Sequence, residues 1–100
     1  MPEVTIKIRA EVGLHARPAA TLVDMAKEFE CDIRVSHEGN QANAKSILQV
    51  LSLGAEKGDE ITIATEGDDA EAALERLTEL VNQGFELHTN AAGDERDDRL

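Results

Sequence analysis

Apolar and polar positions alternate strictly along three short stretches of the chain, residues 3–9, 31–37 and 60–65. Successive side chains of a strand point to opposite faces of a sheet, so this pattern predicts three half-buried β-strands. A weaker fourth strand is predicted over residues 41–44, because turn-forming residues at 38–40 would return the chain beside the second strand as a hairpin.

Between these stretches, apolar residues recur at the spacing of an amphipathic helix. The first helix is predicted to open within residues 13–20 and to run to about Phe29. A short helix is predicted within residues 45–54, and a third over about 70–83, where Gly84 would stop it. Nearly every position of the short helix is apolar, so we expect part of it to be exposed and to mark a partner site.

The element order βαββαβα predicts the fold class. Strands joined through helices that all pack on one side give an α+β open-faced sandwich, a four-stranded antiparallel sheet with three helices on one face. Residues 1–85 are long enough for one domain with a modest core. From residue 86 the pattern fades, and residues 86–100, with five acidic and two basic side chains, are predicted to be a disordered acidic tail.

Composition and charge exclude several function classes. The net charge is −11 and only two residues are Phe, Trp or Tyr, which argues against nucleic acid as a partner. The acidity is compatible with improved solubility or with a high-salt habitat, and the sequence leaves both open. No apolar run reaches the length of a membrane span and the first residues lack the features of a signal peptide, so we expect a cytoplasmic protein without membrane contact.

Cysteine and histidine usage gives no sign of a metal site or a cofactor. The single cysteine, Cys31, excludes an internal disulfide and is expected to be a small core residue at the start of a strand. Together with three scattered histidines, it gives no zinc-ligand spacing. His37, beside a turn, and His88, in the predicted tail, are expected to be solvated side chains without a role.

The candidate chemistry lies in residues 13–20, where a strand gives way to a helix. N–H groups in the first turn of a helix lack intrahelical partners and favour anions, and Pro18 suits that turn because it has no N–H. His15 supplies a nucleophilic ring nitrogen, since histidine has an ordinary pKa of ~6.5, and Arg17 adds a planar fork of donors for phosphate oxygens. The combination is typical of a site that accepts and releases a phosphoryl group. A helix cap beside a surface arginine would produce the same short motif.

Three separated motifs give the chain a resemblance to a known family. They are 13–20 (GLHARPAA), 43–47 (NAKSI) with 51–54 (LSLG), and 57–63 (KGDEITI). In this order they resemble the HPr family, the phosphocarriers of the phosphoenolpyruvate-dependent phosphotransferase system (PTS). The resemblance extends over about residues 1–84.

The resemblance implies a carrier more than an enzyme. In the family, phosphorylated enzyme I passes its phosphoryl group to Nδ1 of the histidine, here His15, which passes it to an enzyme IIA domain of a sugar transporter. By resemblance, Arg17 compensates the phosphate charge, and the N–H groups of Ala16 and Arg17, with Pro18 beside them, hold the phosphate oxygens. The resemblance implies no cofactor and no metal, and we expect a monomer.

Ser46 is implied as a regulatory site. In many relatives an HPr kinase/phosphorylase phosphorylates this serine, which slows phosphorylation of the histidine and makes the protein a corepressor of carbon-catabolite genes. The sequence predicts Ser46 as the N-cap of the short helix, where the helix dipole would stabilise a phosphate whose charge faces enzyme I. A plain N-cap serine explains the position equally well.

The first two helices are implied to form the partner surface. This chain departs from the family there at Asp24, where relatives often carry a basic or neutral residue, and at Gln49, where glycine or lysine is common. Besides Ala16 and Arg17, the implied partner-binding residues are Ala20, Thr21, Lys27, Ile47, Leu48 and Leu51.

Two rival interpretations stay open. Residues 80–85 resemble the ending of the nitrogen-regulatory branch of the family, whose members pass phosphate to a regulatory enzyme IIA. The region around Ser46 is more similar to the sugar branch, which we favour. The other rival is a regulatory corepressor module controlled through Ser46 in which His15 no longer turns over, and the intact motif of residues 15–18 argues against it.

Overall fold

A computed structural model of the protein describes residues 2–11 and 13–85. It confirms the predicted α+β sandwich, with the order βαββαβα and a four-stranded antiparallel sheet. The predicted tail, residues 86–100, lies outside the described residues. The elements are β1 (Glu3–Lys7), α1 (Ala16–Ala26), β2 (Asp32–His37), β3 (Asn40–Asn43), α2 (Ile47–Leu51), β4 (Glu60–Glu66) and α3 (Ala70–Asn82).

The strands lie side by side in the order β1-β4-β2-β3. β4 pairs antiparallel with both β1 and β2, and β2 pairs with β3 as the predicted hairpin. Alternate residues of β2 and β4 are buried, because one face of the sheet is covered by the helices. α3 packs on β1 and β4, while α1 packs on α2 and α3.

Two elements end earlier than predicted. β1 stops at Lys7 because Ile8 exchanges hydrogen bonds of 2.9 Å with the turn residues Gly58 and Asp59 instead of extending the strand. α1 ends three residues before the predicted Phe29, where hydrogen bonds to the residue three positions back replace those of the α-helix.

The core between the sheet and the helices is aliphatic, as the composition predicts. Leu22 of α1, Val35 of β2, Ile63 of β4 and Leu77 of α3 are fully buried. Cys31 is buried as predicted, and burial raises the pKa of its thiol to about 11. The thiol is therefore protonated at neutral pH and is a poor nucleophile.

His37 is buried, so the prediction of a solvated side chain is wrong. β2 buries its odd-numbered residues, and His37 continues the buried face of Ile33 and Val35. Its Nδ1 lies 2.9 Å from the carbonyl oxygen of Leu53, and its Nε2 lies 3.1 Å from Oδ2 of Asp59. Both partners are acceptors, so the ring donates from each nitrogen when both bonds form. These bonds fasten the end of β2 to the loop between α2 and β4.

Asp69 joins the start of α3 to the start of β2. Its carboxylate accepts the backbone N–H groups of Glu30 and Cys31, each at 2.9 Å. The hydrogen bond from the N–H of Glu30 is the largest cause that lowers the pKa of Asp69 below its ordinary value, and hydrogen bonding from Cys31 is the next largest. The ionised form of Asp69 therefore stabilises the connection between these two elements.

We expect Asp69→Asn to lower stability at neutral pH and to flatten the loss of stability in acid. A carboxyl whose folded pKa is lowered stabilises the fold above its unfolded pKa of ~3.9, and this stabilisation is lost as the pH falls towards the folded pKa. Urea unfolding of both proteins at neutral and acidic pH measures the difference. The control is Asp68→Asn, because no such bond is found for Asp68 among the described residues. The same pH dependence in both variants would contradict the assignment.

Candidate functional site

His15 is the N-cap of α1, and its imidazole is accessible. Its backbone is extended (φ −80°, ψ −174°), and its carbonyl oxygen accepts the N–H of Ala19 at 2.9 Å, which starts the helix. The side chain makes no capping hydrogen bond and is 58% exposed. The ring therefore lies at the entrance of the helix, where a partner protein can reach it.

The first turn of α1 offers backbone donors beside His15. Ala16 and Arg17 are the first two residues of the helix, so their N–H groups have no intrahelical acceptor. Within residues 2–11 and 13–85, no other group accepts from them. Pro18 follows without an N–H; it is buried and lines the same cleft as Arg17. The positive end of the helix dipole lies behind both donors.

Arg17 is exposed, and its side chain lines a cleft of about 770 Å³ between the start of α1 and the end of α3. Arg9 lines the same cleft and brings a second positive charge to it. Among the ion pairs of the described residues, none involves the guanidinium of Arg17. Its charge is therefore not neutralised by a carboxylate partner within that part of the chain.

Glu56 is the residue of this site that the sequence analysis missed. Its Oε1 lies 3.3 Å from Nε2 of His15, and its side chain is 62% exposed. The contact arises because the loop before β4 passes against residues 13 and 14, where the N–H of Leu14 donates to the carbonyl of Ala55 at 2.9 Å. A Cβ on Gly13 would lie 2.6 Å from that oxygen. A glycine before the helix signals a close approach of the backbone, but it does not identify the segment that approaches.

α2 runs antiparallel to α1 on the same surface. Before α2 begins, Nζ of Lys45 donates to the carbonyl oxygen of Phe29, just beyond the end of α1, at 2.7 Å. After α2 ends, Ala55 accepts from Leu14, just before the start of α1. The two helices thus form one continuous surface with two distinct ends.

The predicted site residues are divided between those ends. His15 and Arg17 lie at the start of α1, whereas Lys27 caps its other end, about 18 Å away at 1.5 Å per residue. Ser46, the N-cap of α2, lies at the same end as Lys27. The exposed apolar patch predicted on α2 is confirmed, and its role in binding stays a prediction. The remaining predicted residues are Ala20 (exposed), Thr21 (half-buried), Ile47 (37% exposed), Leu48 (78%) and Leu51 (37%).

Ser46 is confirmed as the N-cap of α2. Its Oγ accepts the N–H of Gln49 at 3.4 Å, which is long for such a bond. The side chain of Gln49 also stabilises this region, because its Oε1 accepts the N–H of Asn43 at 2.8 Å. Ser46 is half-buried, and this long bond holds its hydroxyl only weakly.

Comparison with known proteins assigns the chain to a family. The family model PTS-HPr, described as the PTS HPr component phosphorylation site, matches residues 2–83. The chain belongs to the HPr family. It is 46% identical over 83 residues to the phosphocarrier protein HPr of Vibrio cholerae, which covers 83% of this chain and 98% of that protein. The crystal structure of HPr-C-His from Thermoanaerobacter tengcongensis is 44% identical, with a TM-score of 0.83, and covers 87% of this chain and 100% of that chain.

Other HPr relatives differ in length or assembly. The multiphosphoryl transfer protein of Vibrio cholerae is 46% identical over 84 residues, which is 81% of this chain but 21% of that longer protein. A second structure from Thermoanaerobacter tengcongensis, named an HPr dimer, is 42% identical with a TM-score of 0.69 and covers 87% of this chain and 100% of that chain. As a member of the HPr family, this protein is a phosphocarrier of the phosphotransferase system.

Residues 2–11 and 13–85 contain no group of three or more side chains placed to hold a metal ion. Over the same part of the chain, none of the helices has both the length and the apolar character needed to cross a bilayer. The longest helix there, α3, has 13 residues.

Proposed function

We propose that His15 carries the phosphoryl group of this HPr-family protein on its Nδ1. The observation that supports this proposal is an exposed imidazole directly before two backbone N–H groups without an acceptor. Phosphorylated enzyme I is the proposed donor, and enzyme IIA domains of sugar transporters are the proposed acceptors. Family membership supports both partners.

The proposed transfer exchanges one bond at His15. The Nδ1 lone pair forms a bond to phosphorus as the N–P bond of the donor phosphohistidine breaks, and that bond's electron pair returns to the donor nitrogen. The N–H groups of Ala16 and Arg17 and the guanidinium of Arg17 donate to the phosphate oxygens. Hydrogen bonds to charged groups contribute about 1.5–3 kcal/mol each. The reverse exchange passes the phosphoryl group to enzyme IIA.

The site has to hold an anion within a chain whose net charge is −11. Local donors can do this because long-range repulsion between exposed charges is screened by salt within about 10 Å. Arg17 and Arg9 line one cleft beside the positive end of the α1 dipole. We expect these positive charges to offset the nearest carboxylates, those of Glu11, which lines the same cleft, and Glu56, which lies 3.3 Å from His15.

Intact mass after incubation with enzyme I and phosphoenolpyruvate tests the proposal. We expect the gain of one phosphoryl group that mild acid removes, because the N–P bond of a phosphohistidine is acid-labile and a phosphoserine is not. No gain with a compatible enzyme I would contradict the proposal and favour the corepressor module controlled through Ser46.

We propose the sugar branch over the nitrogen branch. The ending that resembles the nitrogen branch has a structural explanation, since Phe85 is buried and its N–H donates to the carbonyl of Leu80 at 2.9 Å. The region around Ser46, which resembles the sugar branch, adjoins the exposed apolar residues of α2, on the proposed partner surface. Phosphorylated protein offered to both kinds of enzyme IIA tests the choice. Preferential transfer to the regulatory kind would reverse it.

We propose that the protein is a cytoplasmic monomer and that residues 1–85 are its folding unit. The family match over residues 2–83 supports this unit. Light scattering after size-exclusion chromatography tests the monomer, and truncation after residue 85 tests the domain. A dimer in solution, or a truncated chain that unfolds, would contradict the respective proposal.

We propose Ser46 as a second phosphorylation site, used by an HPr kinase/phosphorylase to regulate transfer to His15. The hydroxyl is half-buried and held by one long hydrogen bond of 3.4 Å. It lies beside the exposed apolar residues of α2, on the surface proposed to dock enzyme I. A phosphate there would bring about −1.5 to −2 charges to that surface.

We expect Ser46→Asp to slow phosphorylation by enzyme I about tenfold without destabilising the domain. Aspartate is as good an N-cap as serine, whereas an unfavourable charge of ~1.4 kcal/mol at a docking surface changes a rate by a factor of ten. Single-turnover phosphorylation and urea unfolding measure the two effects. Ser46→Asn is the neutral N-cap control, and equal rates for the two variants would exclude the charge as the cause.

A further inference from the structure

We propose that Glu56 is a positioning residue for His15: its carboxylate, 3.3 Å from Nε2, favours the proton on that nitrogen and so leaves Nδ1 unprotonated as the nucleophile. The proposal rests on His15 being the phosphoryl acceptor. Nε2 and Oε1 lie 3.3 Å apart. An ionised carboxylate only accepts hydrogen bonds, so Nε2 carries the proton of this pair, and in a neutral ring Nδ1 then keeps its lone pair.

The loop that carries Glu56 is tied at neighbouring positions. The N–H of Leu14 donates to the carbonyl of Ala55 at 2.9 Å, which joins the loop to the residue directly before His15. The N–H of Glu56 itself donates to Oδ2 of Asp59 at 3.0 Å. Both bonds restrict the backbone of Glu56, so its side chain starts from a defined position although most of it is exposed.

Buried His37 completes this anchor. Its Nε2 lies 3.1 Å from the same Asp59 oxygen that holds Glu56, and its Nδ1 bonds the carbonyl of Leu53. The hydrogen bond from the N–H of Glu56 lowers the pKa of Asp59 below its ordinary value. Partial burial raises this pKa, but the hydrogen bond from His37 lowers it further. Asp59 therefore stays an acceptor at neutral pH. A continuous series of contacts therefore connects buried His37 through Asp59 and Glu56 to the ring of His15.

The pair also suits the charge changes of the transfer. When Nδ1 bonds to phosphorus, the Nε2 proton stays on the ring, which becomes positively charged. The carboxylate of Glu56 lies beside that proton and balances the charge, so no proton has to enter or leave during transfer. Because both side chains are more than half exposed, at 58% and 62%, the effect is modest.

Two variants separate this role from a general loss of charge. Glu56→Gln nearly keeps the shape of the side chain, but its amide can donate to Nε2 and thereby favour the proton on Nδ1. Glu60→Gln removes the same charge from an exposed position at the start of β4, and Glu60 is not a partner of His15 in the structure. Both are compared with the wild-type chain by nitrogen NMR of the His15 ring and by single-turnover phosphorylation.

At pH ~8.5 we expect more of the neutral ring in the Nδ1–H form in Glu56→Gln than in the other two proteins. We also expect Glu56→Gln to accept the phosphoryl group about 3- to 10-fold more slowly, with unchanged affinity for enzyme I, because it loses one exposed negative charge beside the ring. Equal ring spectra, or equal rates, in Glu56→Gln and wild type would overturn the proposal. A wild-type chain that gains no phosphoryl group would overturn the role of His15 itself, and the NMR comparison, which needs no enzyme I, would still decide the pairing.

Discussion

His15→Ala is expected to abolish phosphorylation by enzyme I and to leave the fold intact. The backbone N–H groups and Arg17 can bind phosphate oxygens, but neither offers the lone pair that forms the N–P bond. The side chain of His15 is 58% exposed and makes no capping hydrogen bond. Its removal should therefore change the free energy of unfolding by no more than ~0.5 kcal/mol. Intact mass before and after acid, together with urea unfolding, measures both effects.

Two further variants serve as comparisons for the loss of phosphorylation in His15→Ala. Arg17→Ala should slow phosphorylation about tenfold or more, but less than the ~10²–10³ lost with a donor in a water-excluded site, because Arg17 is exposed. His37→Gln should lower stability, since His37 is buried between two acceptors, and should keep the acid-labile phosphate. An acid-labile phosphate on His15→Ala would end the assignment of His15.

The fold class follows from the sequence because each element shows its buried face in its own periodicity. Strands and helices with one apolar face can bury it only against a neighbouring layer, which leaves few arrangements. The first and last residues of each strand and helix are harder to predict, because they depend on contacts with other segments of the chain. Ile8, apolar and in register with β1, pairs with the turn at 58–59. His37 was mispredicted because its polarity was weighed above its position on the buried face of β2.

Only the part of the candidate site whose residues are neighbours in the sequence could be predicted. Residues 15–18 are contiguous, so the geometry of a helix start places their donors and the imidazole together without any knowledge of the fold. Glu56 reaches His15 only through the packing of the loop before β4 against Gly13. The link from Asp59 to His37 likewise depends on the pairing of β2 with β4. Such contacts carry no signature in sequence spacing.

Gly13→Ala is expected to lower the free energy of unfolding by about 2–5 kcal/mol. Gly13 has φ +63°, which costs an L-residue roughly 1–2 kcal/mol. The added Cβ would also lie 2.6 Å from the carbonyl oxygen of Ala55 and 2.7 Å from Cα of Glu56, and overpacking of this kind costs about 1–3 kcal/mol more. The loop has to move to relieve the contact, which draws Glu56 away from His15, so the rate of phosphorylation should fall as well.

Gly54→Ala is the matched control, because it separates backbone strain from the close approach. Gly54 has nearly the same φ, +65°, but no atom of the described residues lies within 4 Å of an added Cβ. We expect it to lose only the roughly 1–2 kcal/mol of strain and to be phosphorylated faster than Gly13→Ala. Urea unfolding and single-turnover phosphorylation of both variants test this. If they are equally destabilised, the close approach of Gly13 to the loop is not what holds Glu56 beside His15, and the loop is held instead by its hydrogen bonds to Leu14 and Asp59.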